Sequence, residues 1–149
     1  MKTIVILAMH GLPPSDFPKE QFAEYTNLRA RVRQGDIKSN SKLGERHAAL
    51  EKRIRYWPRT RLNDPFYVAS QDIAEQLSAD TRCPVILGFA EFCAPALDEA
   101  FDEAVSKGAE QIVVVTPEMS NEGAYPDLDI NHAVNRVKER HPRVRVICA

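Results

Sequence analysis

The chain opens on an apolar run, Thr3-Ile4-Val5-Ile6-Leu7-Ala8-Met9, in which no polar residue after Thr3 alternates with the hydrophobic ones. A strand with one face in water alternates. One that is apolar throughout is buried on both faces, as in a parallel sheet covered by helices on either side. Runs of the same kind recur at residues 83–89 and, after Gln111, at 112–115, and Val144-Arg145-Val146-Ile147-Cys148 reads as the last strand. Between them the apolar residues change to helical spacing. Phe22, Tyr25, Leu28 and Val32 follow Pro18, with Ser15 or Asp16 as the expected cap and Gly35 at the end. Leu43, His47, Leu50, Ile54 and Trp57 form a second stripe closed by Pro58, in which Glu51 and Arg55 stand one helical turn apart. Asn63-Asp64-Pro65 starts a third, through Phe66, Ile73 and Leu77. Later stripes are Leu97, Phe101 and Val105 (a helix from about Pro95), and Ile130, Val134 and Val137. The polar stretch 36–42 reads as a mobile loop. The order strand, three helices, then strand, helix, strand, helix, strand predicts an α/β single domain. It is a four-stranded parallel sheet with helices on both faces and a helical basic insertion, approximately residues 29–62, between strands one and two.

Charge sets the next limit. The net charge of −1 argues against a general nucleic-acid binder. The distribution is uneven, however. From Arg29 to Arg61 there are eleven Lys/Arg and three Asp/Glu, in a chain whose totals are 20 and 21. Such a segment either steers an anionic ligand or forms a solvated helical face. The first apolar run is too short for a membrane span or a signal peptide, so a soluble cytoplasmic protein is expected. Cys83, Cys93 and Cys148 share no CxxC spacing and are read as reduced packing residues.

The chemistry belongs at the carboxyl ends of the strands, where open α/β sheets bind their ligands. His10-Gly11 follows strand one, Glu91 follows strand two, and Glu118, Glu122, Tyr125, Asp127 and Asp129 follow strand three. Neither GxGxxG nor GxxxxGK[ST] is present, and Pro13 and Pro14 remove N–H groups from the first loop, so a phosphate cradle there is excluded. A histidine phosphatase would need arginine where Met9 stands. An imidazole beside a carboxylate suits weak, open coordination of a divalent transition metal and also a base near neutral pH. The plainer readings are that His10 is a hydrogen-bonded scaffold residue, that Glu91 caps the next helix, that His47 fills the interior of its helix, and that Asp98, Glu99, Asp102 and Glu103 are a solvated face.

Taken together, His10-Gly11, Ile86-Leu87-Gly88-Phe89-Ala90-Glu91 with Pro95 and Leu97, Ile112-Val113-Val114-Val115-Thr116-Pro117, and Gly123 to Asp129-Ile130 resemble the class II chelatases, the CbiX/SirB-type sirohydrochlorin cobaltochelatases and ferrochelatases. The resemblance covers residues 3–16 and 83–147. It implies insertion of Co²⁺ or Fe²⁺ into a sirohydrochlorin-type tetrapyrrole, with the divalent ion as substrate, no organic cofactor, and a homodimer. His10 matches the family's first metal-site histidine and Glu91 its carboxylate. The second histidine is replaced by Tyr125, a poorer ligand and neutral-pH base than imidazole. The basic insertion then reads as a grip on the ring's carboxylates, with Arg55, Trp57, Arg59 and Tyr125 as substrate-binding residues. A metal- or tetrapyrrole-binding protein without turnover is the alternative.

Overall fold

The computed structural model describes residues 1–117 and 130–149. β1 (Thr3–Met9) leads into α1 (Lys19–Arg33), α2 (Lys42–Arg55) and α3 (Pro65–Thr81). There follow β2 (Val85–Phe89), α4 (Leu97–Ser106), β3 (Gln111–Val115), α5 (Ile130–Arg140) and β4 (Arg145–Cys148). The strands form one parallel sheet in the order β2-β1-β3-β4. Pairing of Met9 with Phe89 and of Leu7 with Val115 brings the carboxyl ends of β1, β2 and β3 to one edge.

The unbroken apolar character of β1 is used on both sides. Ile4, Ile6 and Ala8 pack with Ile86, Ile112 and Val114 under α4 and α5, through Leu97, Ala100, Phe101, Ile130, Val134 and Val137. Leu7 and Met9 pack with Phe89 on the other face, against Phe66 and Leu77 of α3. Gly88 lets α4 lie close on β2: a methyl group there would stand 3.0 Å from the Ala100 Cβ and 3.1 Å from a Leu97 methyl. The expected architecture, a parallel sheet with helices on both faces, is the one observed. None of the described helices is long and apolar enough to cross a membrane.

The insertion has a core of its own. Phe17, Tyr25, Leu28, Ile37, Leu50 and Ile54 gather around Phe92, which comes from the loop after β2. Two expectations are corrected here. The stretch 36–42 is not simply a polar loop, because Ile37 is 7% exposed in this cluster and Ser41 caps α2 by accepting from the Gly44 N–H at 3.1 Å. Neither Ser15 nor Asp16 caps α1, whose N-cap is Pro18. The Asp16 carboxylate instead accepts from Trp57 Nε1 at 2.9 Å and Asn63 Nδ2 at 3.0 Å, tying the loop after β1 to the end of the insertion.

The acidic face of α4 is also only partly solvated. Asp98 meets Arg136 at 3.1 Å and Asp102 meets Arg140 at 3.0 Å, so these carboxylates link α4 to α5. Exposed pairs of this kind add little stability. The three cysteines are unpaired; Cys93 packs in the interior as expected, whereas Cys148 is exposed. Burial pushes the Cys93 thiol up to about 11, which keeps it in the unreactive thiol form.

One side chain joins all these parts. Arg59 is 5% exposed at its side chain and Asp64, its ion partner at 2.5 Å, is 2% exposed. Arg59 donates to Trp57 O (3.1 Å) and Ile54 O (2.7 Å) at the end of α2, to Leu12 O (2.8 Å) after β1, and to Phe92 O (2.5 Å) after β2. Asp64 in turn caps α3, its other oxygen accepting from the Tyr67 N–H at 3.0 Å. Removing one member of a buried pair strands the other charge and costs about 3–5 kcal/mol. Arg59→Met should therefore lower Tm by roughly 6–20 °C for a domain of this size, as calorimetry would read. A change under 2 °C would contradict the role assigned to this guanidinium.

Candidate functional site

The loops after β1 and β2 continue the sheet's pairing beyond its formal end. The Ala90 N–H donates to Met9 O and the Glu91 N–H to His10 O, both at 2.8 Å, so His10 and Glu91 lie alongside each other at the carboxyl edge. Gly11 makes this approach feasible. Its φ is +94°, and a methyl group there would lie 2.1 Å from the Glu91 carbonyl oxygen, so only glycine fits. His10 is partly exposed, which suits a group that must meet a ligand.

Glu91 does not cap the following helix; the N-cap of α4 is Ala96. Its carboxylate, 21% exposed, lies 3.4 Å from Nη1 of Arg29 on α1. The Arg29 guanidinium carbon is 4.9 Å from the Phe92 ring centre and 5.4 Å from that of Tyr25. Cation–π attraction from two rings thus holds the arginine that holds the glutamate. His47 of α2 also meets this group, its ring parallel to Tyr25 within 5° and 5.5 Å away. Tyr25 is 1% exposed. Burial first, and then the charge of Glu51, push its hydroxyl up to about 12, so at neutral pH it is a neutral surface rather than a base.

Three of the four residues expected to grip substrate lie together. Arg55, Trp57 and Arg59 line one cavity of about 230 Å³ together with Tyr67 and Cys93. Their polar atoms are already committed, however. Arg55 donates to Cys93 O at 2.8 Å and Ala90 O at 3.2 Å, and Arg59 makes the contacts described above. Trp57 Nε1 is bonded to Asp16 and the Trp57 ring meets Phe17 edge-on at 5.1 Å. These residues fasten the insertion to the strand-end loops, and a ligand carboxylate would have to displace backbone carbonyls to reach either arginine. Tyr125, with Glu118, Glu122, Asp127 and Asp129, lies outside the described residues.

Among the described residues no three His, Cys, Asp or Glu side chains converge on a metal position. The contact that joins His10 and Glu91 is the backbone one, Glu91 N–H to His10 O, while the Glu91 carboxylate faces Arg29. The residue that composition counts overlook is Arg29. It was visible only as one of eleven cations; nothing in its spacing marks it as the partner of Glu91, which lies 62 positions away.

The family model described as CbiX matches residues 64–149, more than half of the chain. The chain belongs to the CbiX family. The matched span begins at Asp64, the cap of α3, so β1, His10 and the two insertion helices precede it. No curated protein matches by sequence. Among solved structures, the sirohydrochlorin chelatase SirB from Bacillus subtilis subspecies spizizenii in complex with cobalt is 16% identical with a TM-score of 0.46, over 99% of this chain and 42% of that one. SirB from Bacillus subtilis with Fe³⁺ is 18% identical with a TM-score of 0.47, over 99% of this chain and 39% of that one. The putative cobalamin biosynthesis CbiX protein from Marinobacter aquaeolei VT8 is 16% identical, TM-score 0.42, over 99% of this chain and 79% of that one. This CbiX-family chain thus spans about two fifths of the length of the two SirB chains it matches.

Gly11 provides a local test. Gly11→Ala must push the Glu91 loop away or distort the end of β1, and overpacking of this kind costs about 1–3 kcal/mol. Chemical denaturation should show that loss, together with loss of the slow exchange of the Glu91 amide. Wild-type stability in the variant would mean that the two loops are not as close as described.

Proposed function

We propose that this CbiX-family chain inserts a divalent metal, Co²⁺ or Fe²⁺, into a sirohydrochlorin-type tetrapyrrole. The observation that carries the reading is the side-by-side placement of His10 and Glu91 at the carboxyl edge of a parallel sheet in a chain of this family. Insertion forms metal–nitrogen bonds and releases two pyrrole protons for each divalent ion. The His10 imidazole would coordinate the incoming ion or accept one proton, and the Glu91 carboxylate would assist as ligand or second acceptor. Glu91 must first leave Arg29, since a carboxylate neutralised by a guanidinium is a weak ligand. The metal, Co²⁺ against Fe²⁺, is left to experiment, because this ligand pair suits both. The reading carries with it a cytoplasmic homodimer in which a second copy completes the cleft.

A non-catalytic metal- or tetrapyrrole-binding protein is the second reading, favoured by the Arg29–Glu91 ion pair, which occupies the carboxylate that the chemistry needs. Anaerobic incubation of the protein with sirohydrochlorin and Co²⁺ or Fe²⁺ decides between them. Insertion should shift the optical spectrum faster than in the protein-free blank, and His10→Ala should slow it by about 10²-fold or more. Equal rates for His10→Ala and wild type would remove His10 from the mechanism. Tight binding of the metallated ring with no insertion above the blank would establish the second reading.

A further inference from the structure

A cavity of about 190 Å³ lies between α1 and α2 beside Glu91, lined by Tyr25, Arg29, Arg33, His47, Glu51 and Glu91. Arg29 and Arg33, one helical turn apart, also line a neighbouring cavity of about 300 Å³ on α1. The two carboxylates in the smaller cavity already face cations. Glu91 is 3.4 Å from Arg29, and Glu51 is 3.8 Å from Arg55. The imidazole lies against Tyr25 through its flat face, and its Nε2 is buried with no hydrogen-bond partner among the described residues. A buried ring nitrogen in that state is costly and points to a missing partner. The cavity is smaller than the 300–1,000 Å³, roughly, of a pocket that encloses a whole drug-sized ligand. It has room for a short acidic arm, not for a macrocycle.

We propose that this cavity is a carboxylate-binding site: Arg29 and Arg33 bind the oxygens of a ligand carboxylate, and His47 Nε2 donates to the same group. The proposal rests on the tetrapyrrole reading above for its source of carboxylate, the acidic side arms of a ring held at the sheet edge. The same chemistry would also accept a free short-chain dicarboxylate. In either case the incoming anion replaces Glu91 as the partner of Arg29, so that seating of the arm frees Glu91 for the metal. Arg29 and Arg33 are binding residues in this account, and His47 orients the arm.

The test uses the full chain and two rings of equal size, uroporphyrin III, which carries eight carboxylates, and its octamethyl ester. Fluorescence titration should show that uroporphyrin III binds and that the ester binds about tenfold or more weakly. Arg29→Gln with Arg33→Gln should weaken uroporphyrin III by about tenfold or more, the scale of a charge-assisted hydrogen bond. Lys138→Gln with Arg143→Gln, which removes the same charge elsewhere on the surface, should leave binding within about twofold of wild type. Arg29→Lys, with an unchanged melting profile, keeps the charge and should retain most of the affinity, which separates a binding role from a folding defect.

Succinate distinguishes the sources. If it shifts the His47 imidazole NMR signal, identified by its absence in His47→Gln, and competes with uroporphyrin III, a free dicarboxylate suffices. If it does neither while the ring still binds through Arg29 and Arg33, the arm of the ring is the ligand. Equal binding of acid and ester, or wild-type affinity in the double Gln variant, overturns the site. Insertion kinetics keep the two proposals apart. Unchanged KM for sirohydrochlorin in the double variant rejects the cavity and leaves the chelatase reading standing, whereas arginine-dependent ring binding without insertion by the wild type rejects the chelatase reading and leaves the cavity.

Discussion

The Arg59 guanidinium is the interaction on which the rest of this structure depends. It lies where the end of α2, the loop after β1, the loop after β2 and the cap of α3 meet, and it bonds to all four. Ile54 O also accepts from the Trp57 N–H at 3.3 Å, and the guanidinium adds the bonds that tie this helix end to Leu12 and Phe92. A planar fork with five N–H groups can satisfy several carbonyls at once, which lysine cannot do. Asp64 balances the charge and hands the arrangement on to α3. His10 follows β1 directly and Glu91 directly precedes Phe92, so the group that holds Leu12 and Phe92 also sets where the two candidate site residues stand.

This gives the basic insertion a different meaning from the one its charge suggests. Part of its positive charge is structural: Arg55 and Arg59 are turned inward onto backbone carbonyls, and Arg29 is held between aromatic rings against Glu91. Another part is taken up at the surface, where Arg46 reaches across from α2 to Glu24 on α1 at 2.8 Å. The insertion is therefore fastened in place. It is a small helical unit with its own apolar core, closed on Phe92 and fixed by arginines to the edge of the sheet where ligands of such folds bind.

The fold was legible because β1 through β3 lack polar alternation and the helical segments between strands keep a helical period, both of which are local patterns. The positions of His10 and Glu91 at strand ends were legible for the same reason. What could not be seen was the pairing of groups far apart in the chain. Arg29 with Glu91, Asp98 with Arg136 and Arg59 with the Phe92 carbonyl are contacts of folded topology, and each charged residue taken alone looks like an ordinary surface charge. Ile37 was missed because a single apolar residue in a polar stretch has no period to betray its burial. Arg55, Trp57 and Arg59 were legible as a group, but their hydrogen bonds to the strand-end loops were not.

Hydrogen exchange at the strand-end amides tests this account most directly. Glu91 donates to His10 O just past the end of the sheet and Ala94 to Arg55 O beyond it, so their protection depends more on the arginine fastening than does that of amides in the sheet's centre. In the wild type both amides should exchange slowly. In Arg59→Met they should accelerate by a larger factor than the amide of Leu7 in the centre of the sheet. Rapid exchange of the Glu91 amide in the wild type, or equal acceleration at Glu91 and Leu7 in the variant, would contradict the claim that Arg59 holds the two candidate site residues in place.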